Sequence, residues 1–455
     1  MNYIYKSSLI ALFIASLTSC DSFLDKQPLS QETNDSFFSS ETNANSGVIG
    51  MYRTMTSSFA WGQTVLTLPE FSAGHIAHAS AFPEYENFAT HTVTVINPWT
   101  SNVWQGVYST INAANNIILR VPEIPENSIT TEKRNQFVGE AKFVRALSYF
   151  FLVRAFGHVP LKLTATTEEE DQIAIPQAAP EEIYTQIVSD LTEAQEQLPE
   201  SHSSTETSKG RATKAAAQAL LAKVYLYQAA FTNDYSLAAA TAEAVITSGA
   251  FELVSNYGSI WEAENTAESI FELQFDDQTT NPLALVSNDN ASMLFYVRDT
   301  TIADLFQPTD NRRDFSVVEG SNNRSYLGKF PNFNPPSQNV PIIRLAEILL
   351  IHAEAQARVS NSVSQAAYNS LNLVLTRANV AKPISDFTSV DAFIRFVQEE
   401  KEREMLFEGE TWFDFCRTGL ALEKYDTISS ENSFLYPIPS TQLAINPNLQ
   451  QNDGY

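Results

Sequence analysis

Residues 397–419 read V-Q-E-E-K-E-R-E-M-L-F-E-G-E-T-W-F-D-F-C-R-T-G, and the two halves of this stretch ask for opposite surroundings. The first half, up to Phe407, has the charge density of a solvent-facing helix, with Glu400 and Glu404 spaced to pair with Lys401 and Arg403 along the surface. Glu408-Gly409 stops that helix. The second half, Trp412-Phe413-Asp414-Phe415, is aromatic and has to be buried, which carries Asp414 in among the rings. A buried carboxylate needs a charged or multiply donating partner, so Asp414 is expected in a structural ion pair with an arginine elsewhere rather than in a catalytic role.

Upstream of this stretch the patterning is helical. In P-I-I-R-L-A-E-I-L-L-I-H-A-E-A-Q-A-R-V, residues 341–359, Leu345, Leu349 and Ala353 form one stripe, with Arg344, Glu347 and Glu354 beside it. Thr388 with Asp391 makes a helix-start box ahead of the charged helix. The clearest helical hairpin runs from Ala212 to Ser248, with alanines in both arms at the spacing that lets two helices approach closely, as a tetratricopeptide hairpin requires. Trp104, Tyr108, Ile111, Asn115 and Ile118 recur at helical intervals, as do Phe137, Ala141, Val144, Leu147 and Phe151, in a helix that ends at Gly157. Trp104 is thereby assigned to the core. Pro180 opens another helix with Glu181 and Glu182 in its first turn, and Gly47 to Ser57 begins the first. Residues 269–275, S-I-F-E-L-Q-F, alternate as a strand would. No strict 34-residue period extends along the chain, so the expected fold is mainly all-α: a few divergent tetratricopeptide-like hairpins with long loop insertions and a few short strands.

Two segments interrupt the helices. Between Phe59 and Asn97 the helical period fails, and Trp61, Phe71, His75, His78, Phe82, Tyr85, Phe88 and His91 are scattered among small residues and proline. Residues 311–338 form a second excursion, with Tyr326, Phe330 and Phe333 in it. Rings in a loop either pin it to the core or present a ligand surface, because exposed aromatics cost solvation.

The chain has 455 residues, 44% hydrophobic and 11% aromatic, which is a globular composition. Its formal charge of −25 repels phosphate backbones and excludes nucleic acid as a partner. Lys6, the apolar run Leu9 to Leu17 and then Ser19-Cys20 resemble a bacterial lipoprotein signal, in which the cysteine is acylated. The reading is therefore a signal peptide over 1–19, a lipid anchor at Cys20, a tether over 20–45 and a single domain over 46–455. The only other cysteine is Cys416, so a lipidated Cys20 leaves no disulfide. No Walker loop, GxGxxG, GxSxG or CxxC pair occurs. His75 and His78 form H-x-x-H in a segment without helical period and with no cysteine to complete a site, so neither a metal nor a cofactor is expected.

The opening stretch resembles the signature of the SusD/RagB family, E-R-x-R-E-L-x-F-E-G-x-R-W-F-D-L-x-R-x-G. Glu400, Arg403, Glu404, Phe407, Glu408, Gly409, Trp412, Phe413, Asp414, Arg417 and Gly419 match it, whereas Thr411 and Cys416 stand where the family usually carries a basic residue. R-x-x-E-x-x-L-x-x-A-E-A around Arg344 and the closing Tyr436-Pro437-Ile438-Pro439 and Asn446-Pro447-Asn448-Leu449 resemble further signatures. The resemblance implies a surface-exposed outer-membrane lipoprotein, not an enzyme, that captures an oligosaccharide or polysaccharide and delivers it to a SusC-like TonB-dependent transporter. Sugars offer C–H faces to aromatic rings and hydroxyls to polar side chains. The ligand residues are accordingly expected among Trp61, His75, His78, Tyr85 and Trp99 of the first loop region (about 59–100) and Tyr296 of the second (about 276–340). Peptide or another nutrient as cargo, an exported glycosidase and a purely structural lipoprotein are the alternatives.

Overall fold

The structure is a computed structural model that describes residues 37–79, 82–166, 174–290, 292–298, 302, 305–321 and 323–455. The signal segment, Cys20 and the tether up to residue 36 lie outside the described residues.

The principal elements, in chain order, are α1 (Glu41–Met55), α2 (Thr64–Ser72), β1 (Ile76–His78), α3 (Pro83–Ala89), α4 (Pro98–Arg120), α5 (Thr131–Phe156), β2 (Val159–Pro160), β3 (Gln177–Ala178), α6 (Pro180–Gln197), α7 (Lys214–Thr232), α8 (Ser236–Thr247), β4 (Ser269–Leu273), β5 (Phe295–Val297), β6 (Val317–Glu319), β7 (Ser325–Leu327), β8 (Val340–Arg344), α9 (Leu345–Ser360), α10 (Gln365–Arg377), α11 (Val390–Glu404), α12 (Thr411–Thr418) and α13 (Ser440–Ile445). The long helices pack in succession: α1 on α4, α4 on α5, α5 on α6, α6 on α7, α7 on α8 and α8 on α9, which then packs on α10 and α11. Neighbour-to-neighbour packing of helical hairpins is the tetratricopeptide-like scaffold the alanine spacing predicts. Ala216, Ala217, Ala238 and Ala242 are fully buried in the α7–α8 hairpin.

Two excursions leave this scaffold. The first separates α1 from α4 and the second separates α8 from α9. The neck of the second is closed by β4 pairing antiparallel with β8, Ser269 opposite Arg344 and Leu273 opposite Val340. Every residue of β4 is buried, so its alternating sequence does not mark a solvent face.

Several boundaries move. Helix α1 starts at Glu41, capped by the Ser40 side chain, rather than at Gly47. Pro341 to Arg344 belong to β8 and the helix begins only at Leu345. The cap of α11 is Ser389, whose hydroxyl accepts the Ala392 N–H, and not Thr388. The segment 59–97 folds into α2, β1 and α3: short elements packed around large rings that no amphipathic period announces.

The larger correction concerns the charged half of 397–419. Helix α11 is not solvent-facing on the side that carries Glu400, Lys401 and Glu404, which are 0%, 4% and 0% exposed. Glu404 receives Arg312 at 2.8 Å, Arg377 at 2.5 Å and also Arg344. Glu268 receives Arg344 at 3.1 Å and Arg377 at 3.0 Å. Glu408 takes Arg344 at 2.7 Å and Lys329 at 2.6 Å. The network therefore ties α11 to the neck of the second excursion and to α10. Asp414 is buried as expected, but its ion-pair partners are near in sequence, Lys401 at 2.8 Å and Arg417 at 3.1 Å, and the distant Tyr227 adds a hydroxyl donated at 3.2 Å. Burial would raise its pKa, and those two cations hold it well below the usual carboxylate range. At Thr411, where the family usually carries a basic residue, the cations come from elsewhere: the adjacent Glu410 receives Arg154 at 2.7 Å and Lys223 at 2.9 Å.

Gly409 sets the turn between α11 and α12. Its φ is +79°, and a Cβ there would lie 2.8 Å from the Leu66 Cα, while its N–H donates to Glu70 at 2.8 Å. Gly409→Ala is expected to cost about 1–3 kcal/mol, read as a lower guanidinium midpoint at unchanged slope. An unchanged midpoint would show that the turn relaxes freely.

Candidate functional site

The pairing of β1 with β5 decides where the two excursions meet. These strands, more than two hundred residues apart in sequence, run antiparallel with Ile76 opposite Val297, Ala77 opposite Tyr296 and His78 opposite Phe295. Phe295 from the second excursion is thereby fixed on the side of His78, whereas Tyr296, paired with Ala77, projects from the other face of the two-stranded ribbon.

The other side is built by α3 and the start of α4. Pro83 and Pro98 occupy the first positions of their helices, where a missing N–H costs nothing. The Asn97 side chain accepts the Trp99 N–H at 2.9 Å and donates to the Glu84 carbonyl at 2.8 Å, locking the start of α4 onto α3. This brings Tyr85 parallel to Trp99, with ring centroids 4.2 Å apart at 23°, and parallel to His78 at 5.1 Å and 12°. Phe295 meets Tyr85 and His78 edge-on at 5.4 and 5.6 Å. Phe82 stands edge-on to His78 at 4.9 Å and is 51% exposed. The Arg324 guanidinium lies 4.4 Å above the Tyr296 ring. At the rim Arg298 forks onto Glu86 with both contacts at 2.8 Å and donates to the Ile76 carbonyl, joining β5 to α3.

The six expected ligand residues divide by burial. His78 and Trp99 keep part of their surface on the aromatic cluster just described, whereas Tyr296 keeps part of its surface on the opposite face of the β1–β5 ribbon. Tyr85 belongs to the same cluster but is 2% exposed, so it supports the neighbouring rings from beneath. Trp61 and His75, each 3% exposed, offer no surface to a ligand. Trp61 packs edge-on against Phe151 of α5, pinning the first excursion to the scaffold. Trp104 is buried, as its helical stripe predicts. Phe82 completes this surface, and Arg324 covers Tyr296 on the other face of the ribbon. Phe82 was visible as one of the scattered rings, whereas nothing in the sequence marks Arg324.

His75 is occupied on both ring nitrogens. Nδ1 lies 2.7 Å from Glu70 and Nε2 lies 3.5 Å from Glu402, which is also held by Lys424 at 2.7 Å. Burial alone would lower its pKa, but the two carboxylates outweigh burial and hold it up at about 9. A histidine raised in the folded state stabilises fully below its ordinary value of 6.5, and that stability is lost as the pH climbs through about 9. Wild type is thus expected to lose up to about 3 kcal/mol between pH 6 and 10 relative to His75→Gln. The comparison cancels the opposite drift from Lys329, which burial lowers to about 8. Parallel pH profiles of urea midpoints for the two proteins would refute it.

Among the described residues no group of three or more His, Cys, Asp or Glu side chains could hold a metal ion. No helix among them is long and apolar enough to cross a membrane. The cluster is a shelf of aromatic faces with polar groups at its rim, and it can stack against a ligand that has its own apolar faces.

Comparison with known proteins places this architecture. Residues 22–226 match a family described as starch-binding and associating with the outer membrane, and residues 254–429 match the SusD family. SusD-like protein P2 of Formosa agariphila is 26% identical, with 99% of each chain covered. The starch-binding protein SusD of Bacteroides thetaiotaomicron is 23% identical, with 70% of this chain and 72% of that protein covered. A solved laminarin-binding SusD-like protein is 25% identical and superposes with a TM-score of 0.79, covering 92% of this chain and 100% of the other.

Proposed function

From the premise that the chain belongs to the SusD/RagB family, we propose that it is a surface glycan-binding lipoprotein that captures an oligosaccharide on the aromatic shelf and delivers it, uncleaved, to a SusC-like TonB-dependent transporter. The observation that supports this reading is the β1–β5 pairing, which sets Phe295 edge-on to His78 and Tyr85 and so joins the second excursion to the ring cluster that carries Phe82, His78 and Trp99. Sugar rings present axial C–H faces that pack on such rings, and the Arg298–Glu86 pair and the His78 ring are placed for hydroxyls. Binding of starch by one relative and of laminarin by a structural neighbour supports a polysaccharide as cargo. Acylation of Cys20, with a signal peptide over 1–19 and a tether over 20–45, would hold the domain at the outer membrane.

Affinity electrophoresis of the detergent-solubilised full-length protein through gels containing starch, laminarin and a set of acidic polysaccharides tests this. Retardation by one polymer, without release of reducing sugar, is the expected result. Release of reducing sugar would make the protein a glycosidase. No retardation by any polymer would move the cargo to peptide or another nutrient.

A further inference from the structure

Helix α4 carries Trp99 in its first turn and, about 8–20 Å further along its axis, one wall of a separate cleft. This cleft has a volume of about 720 Å³, within the range of about 300–1,000 Å³ that small-molecule sites occupy. Its walls come from three places: the outer side of α4, the segment 160–166 after β2, and α13 with the residues that follow it. None of the residues assigned to the aromatic shelf lines it.

The walls are held rigid. The Tyr108 hydroxyl donates to the Pro160 carbonyl at 2.7 Å, and Asn115 donates to the carbonyls of Lys162 and Thr164, both at 3.1 Å. On the opposite side the Asn446 amide donates to the Ile175 carbonyl at 2.8 Å, and Gln177 accepts the Gln450 N–H at 2.9 Å. A cleft fixed on both sides costs a ligand little ordering.

Its chemistry is polar and hydroxyl-seeking, with Lys162, bonded to the Thr166 hydroxyl, the one charged side chain among the described lining residues. Tyr108 forms the aromatic floor, backed by the buried Trp104 with ring centroids 5.1 Å apart. Ile445, 72% exposed, stands at the lip. Around them are polar groups with hydrogen-bonding capacity left over. The Asn112 carbonyl accepts the Thr166 N–H while its NH₂ has no partner among the described residues. Ser109 donates to the Gln105 carbonyl and keeps its lone pairs, and the Gln442 amide makes no bond to another described residue. Although the chain has 53 acidic residues against 28 basic ones, none of the described residues lining the cleft is a carboxylate.

We propose that this cleft is a second saccharide subsite, which takes a short segment of neutral glycan through Asn112, Ser109 and Gln442 over the Tyr108 ring. The proposal rests on the glycan-capture reading and adds a second point of attachment on the same rigid helix. Two such points raise retention of a polymer by about 10²-fold or more over either alone, provided the chain can span them.

Calorimetric titration of the full-length protein with laminarihexaose and with maltohexaose separates the two ideas. Wild type is expected to take up about two equivalents of one of these sugars. Gln442→Trp, which fills the cleft, and Trp99→Ala, which removes a ring from the shelf, should each leave about one. Asn112→Ala combined with Gln442→Ala provides an independent variant without added bulk, and should weaken one of the two sites about tenfold. Saturation of wild type at one equivalent, or two equivalents undiminished in both cleft variants, would overturn the subsite and leave the capture reading intact. No uptake of either sugar by wild type, with no retardation in any gel, would remove the capture reading itself and the subsite with it.

Discussion

Replacing Glu404 with glutamine is expected to destabilise the protein by about 3–5 kcal/mol, the cost of breaking a buried ion pair from one side. Glu404 is fully buried, and its carboxylate faces three guanidiniums, those of Arg312, Arg344 and Arg377. Burial alone would raise its pKa, yet the three cations hold it well below the usual carboxylate range. Removing that charge leaves Arg377 to Glu268 alone, and leaves Arg344 and Arg312 with the remaining carboxylates of a network that crosses from α11 to β8 and α10. Its main-chain carbonyl also accepts from Tyr257 at 2.9 Å and Lys329 at 3.1 Å, bonds that a glutamine would keep. The effect thus isolates the charge. Glu399→Gln is the control: its pair with Arg395 has 38% of each side chain exposed, and its loss should stay within about 0.5 kcal/mol. Guanidinium unfolding of the two variants beside wild type reads both. A loss at Glu404 no larger than at Glu399 would show that the buried network contributes no more than a surface pair.

The second large effect is expected on binding. Trp99→Ala should weaken affinity for the retarding polysaccharide about 10- to 100-fold, as truncation of a central aromatic contact commonly does, with the unfolding midpoint little changed. The helix start survives the substitution because the cap is the Asn97 side chain on a backbone N–H, together with the Thr100 hydroxyl donating to the Asn97 carbonyl at 2.8 Å. Trp99→Phe should recover most of the loss, since a smaller ring still covers Tyr85 and presents a face. Unchanged retardation of a folded Trp99→Ala protein would take Trp99 out of the site. Equal losses in Trp99→Ala and Trp99→Phe would point to a contact other than ring stacking.

The candidate site was half legible in the sequence. Rings gathered in loop-rich segments singled out His78, Trp99 and Tyr296; the first two lie on one partly exposed cluster, while Tyr296 projects from the other face of the β1–β5 ribbon. The same signal could not separate these rings from Trp61, because a ring that pins a loop and a ring that faces a ligand have the same composition and the same neighbours in sequence. His75 shows the same limit. Its carboxylate partners are five and 327 residues away, and only the second is far enough to tie it down between elements.

By itself the sequence determined the scaffold. Alanine spacing, proline at helix starts, Gly157 at a helix end and the three family signatures specify packed helical hairpins, because these features act over one or two turns and every residue carries its own part of the pattern. Tertiary structure alone decided two things. It buried the charge-dense helix α11, since a run of glutamates becomes a core element only when Arg312, Arg344 and Arg377, none of them in that helix, arrive to neutralise it. It also placed Tyr296 beside Ala77, since the pairing of two three-residue strands is set by where the scaffold brings their loops and not by the strands themselves. Local pattern is fixed by neighbours in the chain, whereas burial of charge and assembly of a surface depend on partners that only folding brings within reach.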